Sequence, residues 1–331
     1  MEHASGGRFI GPMRRAVTTA AALAIAMLSL SSCAAQQTVI LATHDSFAIS
    51  DELVAEFESK SGYQLEIVRM GDTGSLVSRL GLTASAPLAD AYYGIDNTFM
   101  ERARSAGLID SEPTEINFGD VCFNYDLNWF AESQINPPDS WQQLASAEYA
   151  PLTVVTDPRM SSPGMSFLLT TGQYFDSIAE AERFWSELEA NGVRVAASWE
   201  DAYFLDFTRY GGSRPIVLSY ASSPAAEVDA EGVPQTAAIR SDCFRQVEYA
   251  GVLPHAANPD GATVLIDFLR SDSFQAQLPD LMYVYPSSQS VTLDDRWLEV
   301  APPATTFFTA PADAESLQSE LLNVWERVFS R

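Results

Sequence analysis

"TVILATHDSF" (38–47), "ISDELVAEFESKSG" (49–62) and "YQLEIVRM" (63–70) follow one another near the start of the chain. The first is an apolar run ending in a polar turn, which reads as a strand. In the second, Leu53, Val54 and Phe57 recur at helical spacing and Gly62 supplies the stop. The third alternates apolar and polar residues as a strand does. "GDTGSLVSRL" (71–80) turns into another helix, "ADAYYGID" (89–96) is a third strand, and "NTFMERARSAG" (97–107) is a third helix. Strand and helix alternate, so the expected class is α/β, a mostly parallel sheet with helices on both faces. In such sheets ligands bind beyond the carboxyl ends of the strands.

Each of these strands is followed by the same kind of polar turn. His44-Asp45-Ser46, Asp72-Thr73-Gly74-Ser75 and Asp96-Asn97 are all helix-capping types, and capping alone accounts for any one of them. Three at one edge point to a site. The middle of the chain repeats the pattern. "APLTVVTDP" (150–158) is a strand, and Ser161-Ser162-Pro163 opens the helix "GMSFLLTTGQYF" (164–175). "AERFWSELEANG" (181–192) is an amphipathic helix, and "VRVAASW" (193–199) a strand arriving at Trp199. "DAYFLDFTRYGG" (201–212) reads as a further helix, and "RPIVLSY" (214–220) as a strand arriving at Tyr220. A second Ser-Ser-Pro, Ser222-Ser223-Pro224, follows and is expected to open another helix with free backbone N–H groups.

Two extended apolar stretches, "FGDVCFNYD" (118–126) and "CFRQVEYAGV" (243–252), link these halves. They are expected to be crossing strands if residues 123–244 form a second lobe inserted into a first lobe of 38–120 plus 249–295. The segment 296–331, with the amphipathic helix "DAESLQSELLNVWERVFSR" (313–331), is not assigned to one lobe or the other by the sequence. Cys122 and Cys243 fall one on each crossing strand, which makes a disulfide between them geometrically natural.

The N-terminus is processing signal rather than fold. Arg8, Arg14 and Arg15 precede the apolar run "AVTTAAALAIAMLSL" (16–30), and "LSSC" (30–33) closes it. That ending resembles a bacterial lipobox, so residues 1–32 are expected to be removed and Cys33 to carry lipid. No later segment is long and apolar enough to cross a bilayer. Of the 331 residues 299 then remain, and the net charge of −25 becomes −27 with three arginines and one glutamate gone. Such acidity argues against nucleic acid and anionic membrane surfaces as partners. With only His3, His44 and His255 in the chain, a histidine–cysteine metal cluster is not expected.

"THDSFAISDELVAEFESKSGYQLEIV" (43–68), "GDTGSLVSRL", "ADAYYGIDN" (89–97), "DPRMSSPGMSFLL" (157–169), "VLSYASSPA" (217–225) and "MYVYPSSQSVTL" (282–293) resemble the periplasmic thiamine-binding proteins of ABC importers. The resemblance is collinear from residue 38 to "VWERVFSR" (324–331). That family belongs to the ferric-binding-type, or type II, periplasmic binding proteins, with two α/β lobes around a cleft. The resemblance implies a ligand-contacting role for Asp72 and Thr73, for the hydroxyl pair Ser161 and Ser162, and for Trp199. It implies the same for Tyr220, Ala221, Ser222 and Ser223. Two aromatic positions of the family are changed here, to His44 in the first turn and to Tyr283 before "VYP".

Thiamine has a flat aminopyrimidine, a permanently cationic thiazolium and a hydroxyethyl arm that can bear phosphate. Trp199, Tyr220 and Tyr283 could supply ring faces, and Asp72 and Asp45 carboxylates for the cation. The two Ser-Ser-Pro helix starts could serve the hydroxyl or phosphate. The expected protein is a monomeric, extracytoplasmic, lipid-anchored carrier that hands thiamine or a thiamine phosphate to an ABC permease, with no cofactor beyond its ligand. Three alternatives stand beside it. A same-fold carrier could take ferric ion, for which "AYYG" (91–94) has a tyrosine pair, or a polyamine. A thiaminase-like enzyme would use Cys122 as nucleophile, but no histidine or lysine stands beside it in "GDVCFNYD".

Overall fold

The Ser50 hydroxyl accepts a hydrogen bond of 3.2 Å from the Leu53 N–H, and this cap opens the first helix. Gly62 ends it at φ 77°, with its own N–H donating to the Glu58 carbonyl at 2.9 Å. The computed structural model that shows this describes residues 37–311 and 313–330 besides Met1. From Thr38 onward the chain forms one compact unit. The expected leader and Cys33 lie outside the described residues.

β1 (Thr38–Thr43), α1 (Asp51–Ser61), β2 (Gln64–Arg69), α2 (Thr73–Leu82), β3 (Ala91–Asp96) and α3 (Met100–Ser105) realise the alternation of the first third. β1 pairs in parallel with both β2 and β3. The strand period of two sends Val39, Leu41, Ala91 and Tyr93 into a core with Phe57 of α1. Ala42 and Tyr92 point the other way, into a core with Leu76, Leu80 and Phe99. Helices therefore cover both faces, in keeping with the unbroken burial of β3.

β4 (Thr114–Asp126) leaves this half. β5 (Thr153–Thr156), α4 (Ser162–Tyr174), α5 (Ile178–Ala190), β6 (Arg194–Ala196) and β7 (Ile216–Tyr220) build the next, and β8 (Thr236–Val252) returns. α6 (Pro259–Leu269), the short strands β9 (Tyr285–Pro286) and β10 (Phe307–Phe308), and α7 (Ala314–Phe329) complete the chain. The strand order is β2-β1-β3-β8-β4-β7-β5-β6, with β9 on β4 and β10 on β8. Pairing is parallel at both ends of the sheet and antiparallel through its centre, where β4 and β8 run side by side.

The β4–β8 register jumps between Val121↔Phe244 and Phe123↔Ile239. Cys122 sits at the jump and is bonded to Cys243, with a Cα–Cα distance of 4.9 Å. β10 pairs with the residues displaced there, Phe307 opposite Cys243. α7 packs on α4 and α5: Gly172 leaves room for Leu321, and Arg327 pairs with Glu182 at 3.1 Å. Among the described residues no helix is long and apolar enough to cross a membrane.

Three elements differ from the sequence reading. The strand expected to reach Trp199 ends at Ala196. In place of one helix over 201–212 there is a π-helical turn, Asp201–Asp206, and a 3-10 turn, Thr208–Tyr210. The Arg214 N–H donates to the Asp206 carbonyl at 2.9 Å and the Gly212 N–H to the Phe207 carbonyl at 3.0 Å, so the segment curls back instead of extending. The second Ser-Ser-Pro makes only the 3-10 turn Ser223–Ala225. No α-helix starts there.

Candidate functional site

A cavity of about 490 Å³ lies beyond the carboxyl ends of the parallel strands, lined by His44 after β1, Asp72 after β2, Trp199 after β6 and Tyr220 at the end of β7. One wall is the turn 44–48 with Asp72 and Thr73. The Asp45 carboxylate accepts from the Gly71 N–H at 2.8 Å, and the Thr73 hydroxyl donates to the Gly94 carbonyl at 2.9 Å. Asp72 heads α2 without capping it; its Oδ2 accepts instead from the backbone N–H of Trp199 at 2.9 Å.

The opposite wall is aromatic. Trp199 stacks on Tyr203 with ring centroids 5.0 Å apart and an interplanar angle of 23°, and its indole N–H donates to Ser219 Oγ at 3.0 Å. Phe204, Tyr210 and Tyr220 continue the wall. Buried Glu227 fixes it from behind, accepting from the hydroxyls of Tyr203 at 3.0 Å and Tyr210 at 2.7 Å and pairing with Arg209 at 3.0 Å. Gly119 lets the Tyr220 ring lie flat on the β4 backbone, since a Cβ there would stand 2.8 Å from the ring. Tyr283 lines the rim at φ 53°, 38% exposed.

The floor is Gln246 and Glu248 of β8. Glu248 pairs with His44 at 3.2 Å and accepts from the Tyr93 hydroxyl and the Asn117 amide, both at 3.0 Å. Burial pulls the His44 pKa down, but the Glu248 carboxylate outweighs it and the net shift is upward. Burial pushes Glu248 up, but His44 and its other donors hold it below the usual carboxylate value. Each partner therefore favours the charged form of the other. Burial raises Asp72 despite the Trp199 N–H, and raises Asp96 to about 6 despite bonds from Ser162 and Thr98. Glu200, at the mouth, is raised by burial and then by neighbouring Asp45 and Asp72.

Of the residues singled out from the sequence, His44, Asp45, Asp72, Thr73, Ser162, Trp199, Tyr220, Ser223 and Tyr283 meet at this cavity. Three do not reach its surface. Ser161 is fully buried at the N-cap of α4. Ala221 packs with Cys122 and Cys243 behind the cavity. Ser222 is fully buried, its hydroxyl donating to the Tyr283 carbonyl at 2.5 Å. The Ser223 hydroxyl is also engaged, bonding Ser219 Oγ at 2.8 Å and accepting from the Tyr220 N–H at 3.2 Å.

A family model described as bacterial extracellular solute-binding protein matches residues 90–308. The chain belongs to the bacterial extracellular solute-binding proteins. The thiamine-binding periplasmic protein of Escherichia coli (strain K12) is 28% identical over 308 residues, 87% of this chain and 92% of that one. Its Salmonella typhimurium counterpart is 28% identical over 328 residues, 93% of this chain and 98% of that one. A solved structure titled periplasmic thiamin binding protein superposes with a TM-score of 0.78 at 27% identity, covering 89% of this chain and 96% of that one. The architecture is that of the type II periplasmic binding proteins.

This solute-binding protein also places at its cavity residues that the sequence reading passed over. Gln246 and Glu248 are two polar residues at period two in the latter half of β8, a signal legible in the sequence. Tyr203, Phe204 and Tyr210 were masked by their helix-like spacing, which reads as core. Glu200 and Glu227 carry no pattern of their own. The tyrosine pair of "AYYG" gives no open metal site. Tyr92 and Tyr93 are both buried, the Tyr93 hydroxyl is held by Glu248, and no group of three or more His, Cys, Asp or Glu placed to hold a metal ion occurs among the described residues. The disulfide leaves Cys122 no free thiol.

Proposed function

We propose that this chain captures thiamine, or a phosphorylated or closely related form, outside the cytoplasmic membrane and delivers it to an ABC transporter permease. One observation carries the ligand assignment. The cavity sets an aromatic wall of Trp199, Tyr203, Phe204, Tyr210 and Tyr220 opposite Asp45 and Asp72. A flat heteroaromatic cation needs ring faces and a nearby carboxylate together. The relatives named for thiamine binding support the same reading, as does the solved thiamin-binding neighbour. Anchoring through lipid at Cys33 and action as a monomer belong to the proposal. The bonded state of Cys122 counts against the thiaminase alternative.

Mass spectrometry of ligand released from the purified protein, with calorimetric titration of thiamine, tests the ligand. Recovery of thiamine and saturable binding are expected. A different co-purifying solute with no thiamine heat would overturn the assignment. Loss of membrane association in Cys33→Ala tests the anchor.

A further inference from the structure

His44 and Glu248 form an ion pair within the cavity itself, Nε2 and Oε1 standing 3.2 Å apart. The contact is one of charge: the buried Nε2 makes no aligned hydrogen bond, so the pair holds only while the imidazole is protonated. Glu248 has other partners. Its Oε2 accepts from the Tyr93 hydroxyl and the Asn117 amide, both at 3.0 Å, and its Oε1 from the Gln246 amide at 3.4 Å. These three donors are neutral, so they satisfy the carboxylate without cancelling its charge. The counter-charge is the imidazolium.

The His44 ring has little room to step aside. It lies on the β3 backbone at Gly94, where any Cβ would collide with it, and against Tyr93 with ring centroids 5.6 Å apart. Asp72 at the head of α2, Asp96 at the end of β3 and Glu200 at the mouth also act on it, with Asp45 next to it in its own turn and Tyr220 of β7 on the same cavity. No lysine or arginine lines the cavity among the described residues. His44 is thus the one side chain of that lining that can carry positive charge.

We infer that His44 is a resident cation for which the ligand's own charge substitutes: capture of the cationic ligand expels the proton from His44 to solvent, so binding tightens as pH rises and loosens as it falls. The inference rests on the thiamine reading above, which supplies the cation. Two positive charges in one cavity repel, and of the two only the imidazolium can be neutralised. Burial alone would strip its proton, and Glu248 is what holds it there. A second cation sharing that carboxylate removes the hold. The His44 side chain is 12% exposed, which leaves the proton a way out.

Titration of the histidine ring protons by NMR in the mature chain, with and without saturating thiamine, tests this. Its histidines are His44 and exposed His255, and His44→Gln assigns the signals. Thiamine should lower the His44 midpoint by about one pH unit or more and leave that of His255 in place. Calorimetry in buffers of different ionisation enthalpy should find proton release on binding, with affinity rising by at most about tenfold per pH unit, the limit for one proton. Both should diminish in His44→Gln. An unmoved or raised His44 midpoint in the thiamine-saturated protein would overturn the inference while leaving the thiamine reading intact. Proton release unchanged in His44→Gln would assign it to Asp72 or Asp96, which burial also raises, and would overturn the inference as well. Absence of thiamine binding would overturn both readings.

Discussion

Asp72 and the backbone N–H of Trp199 meet at 2.9 Å across the cavity, joining the wall built on α2 to the one that follows β6. The bond shows that the two walls are held together by a residue that also faces the ligand space. Asp72 is 8% exposed, and burial raises its pKa. A cation in the cavity would favour its ionised form. Asp72→Asn keeps an oxygen for the Trp199 N–H and loses the charge. Thiamine should then bind weaker by about 1.5–3 kcal/mol, the range of a charge-assisted contact. Asp72→Ala should lose this and also the interwall bond, so its melting temperature should fall where that of Asp72→Asn holds. Calorimetry and thermal melts on the two variants check this; equal binding in all three proteins would remove Asp72 from the site.

The buried carboxylates give stability a definite pH dependence. Asp96 is raised from 3.8 to about 6, so the folded state holds its proton more tightly than the unfolded chain does. Stability therefore falls as pH rises from about 4 to 6, by something on the order of 3 kcal/mol from this residue. His44, also raised, contributes stability that is complete below its unfolded value of 6.5 and lost as pH climbs through the folded one. Glu248, lowered, contributes stability present above its unfolded value of 4.5 and lost as pH falls through the folded one. Asp96 and His44 both make stability fall with rising pH, and Glu248 opposes this only at acid pH. Urea unfolding between pH 4 and 8 should show a decline as pH rises. In Glu248→Gln the decline above pH 6.5 due to His44 should weaken, since the carboxylate that raises it is gone; an unaltered profile would mean the pair does not titrate as described.

How far the site was legible before the fold was known depends on the kind of position. His44, Asp72 and Tyr220 were readable because each ends or follows a strand, and strand ends are where this architecture gathers its ligands. The two Ser-Ser-Pro triplets show the limit. The first is followed by "GMSFLLTTGQYF", an apolar run long enough to propagate a helix, and α4 forms. The second is followed by "AAEVDAEGVP", with Gly232 and Pro234 in it, and the chain must enter β8 at Thr236. The same triplet thus yields a helix start in one place and a single turn in the other. Glu227 and Glu248 acquire their roles only through partners distant in sequence, such as Tyr203 and His44, and no local pattern encodes those distances.

The disulfide closes a loop of sequence separation 121 across the two longest strands, at the point where their register jumps. Chain-entropy arguments assign a loop of this size roughly 4–5 kcal/mol, with native strain able to reduce it. Reductant, or Cys122→Ser with Cys243→Ser, should lower the melting temperature accordingly. The ligand affinity should change little, because both sulfurs lie behind the cavity with Ala221. Thiol titration of the unfolded, unreduced chain from Thr38 onward should find no free thiol. Two would contradict the bond.

Trp199 should report the ligand directly. If thiamine sits against the aromatic wall, its binding should quench tryptophan emission, and Trp199→Ala should remove most of that change. Loss of the ring should weaken binding by about 2–4 kcal/mol, by analogy with buried aromatic anchors at interfaces. Trp199→Phe keeps a ring face toward Tyr203 but gives up the 3.0 Å bond to Ser219, so it should fall between the two. Unchanged affinity with an early melt in Trp199→Ala would assign the residue to packing alone.

The last prediction concerns the support of that wall. Glu227 is 3% exposed and holds Tyr203, Tyr210 and Arg209 at once. Removing it leaves the buried Tyr203 hydroxyl without this acceptor, at about 1–3 kcal/mol, and releases the more exposed Tyr210 hydroxyl and Arg209 guanidinium. Glu227→Ala should therefore lower stability clearly and weaken binding as the rings lose their fixed orientation. Tyr210→Phe separates the two effects, since it deletes one hydroxyl bond and keeps the ring. It should cost about 1 kcal/mol of stability and leave the affinity for thiamine within a factor of a few. Chemical denaturation and calorimetry on both variants decide the matter. If Tyr210→Phe abolished binding at unchanged stability, the hydroxyl would be a ligand contact and Glu227 would act by aiming it.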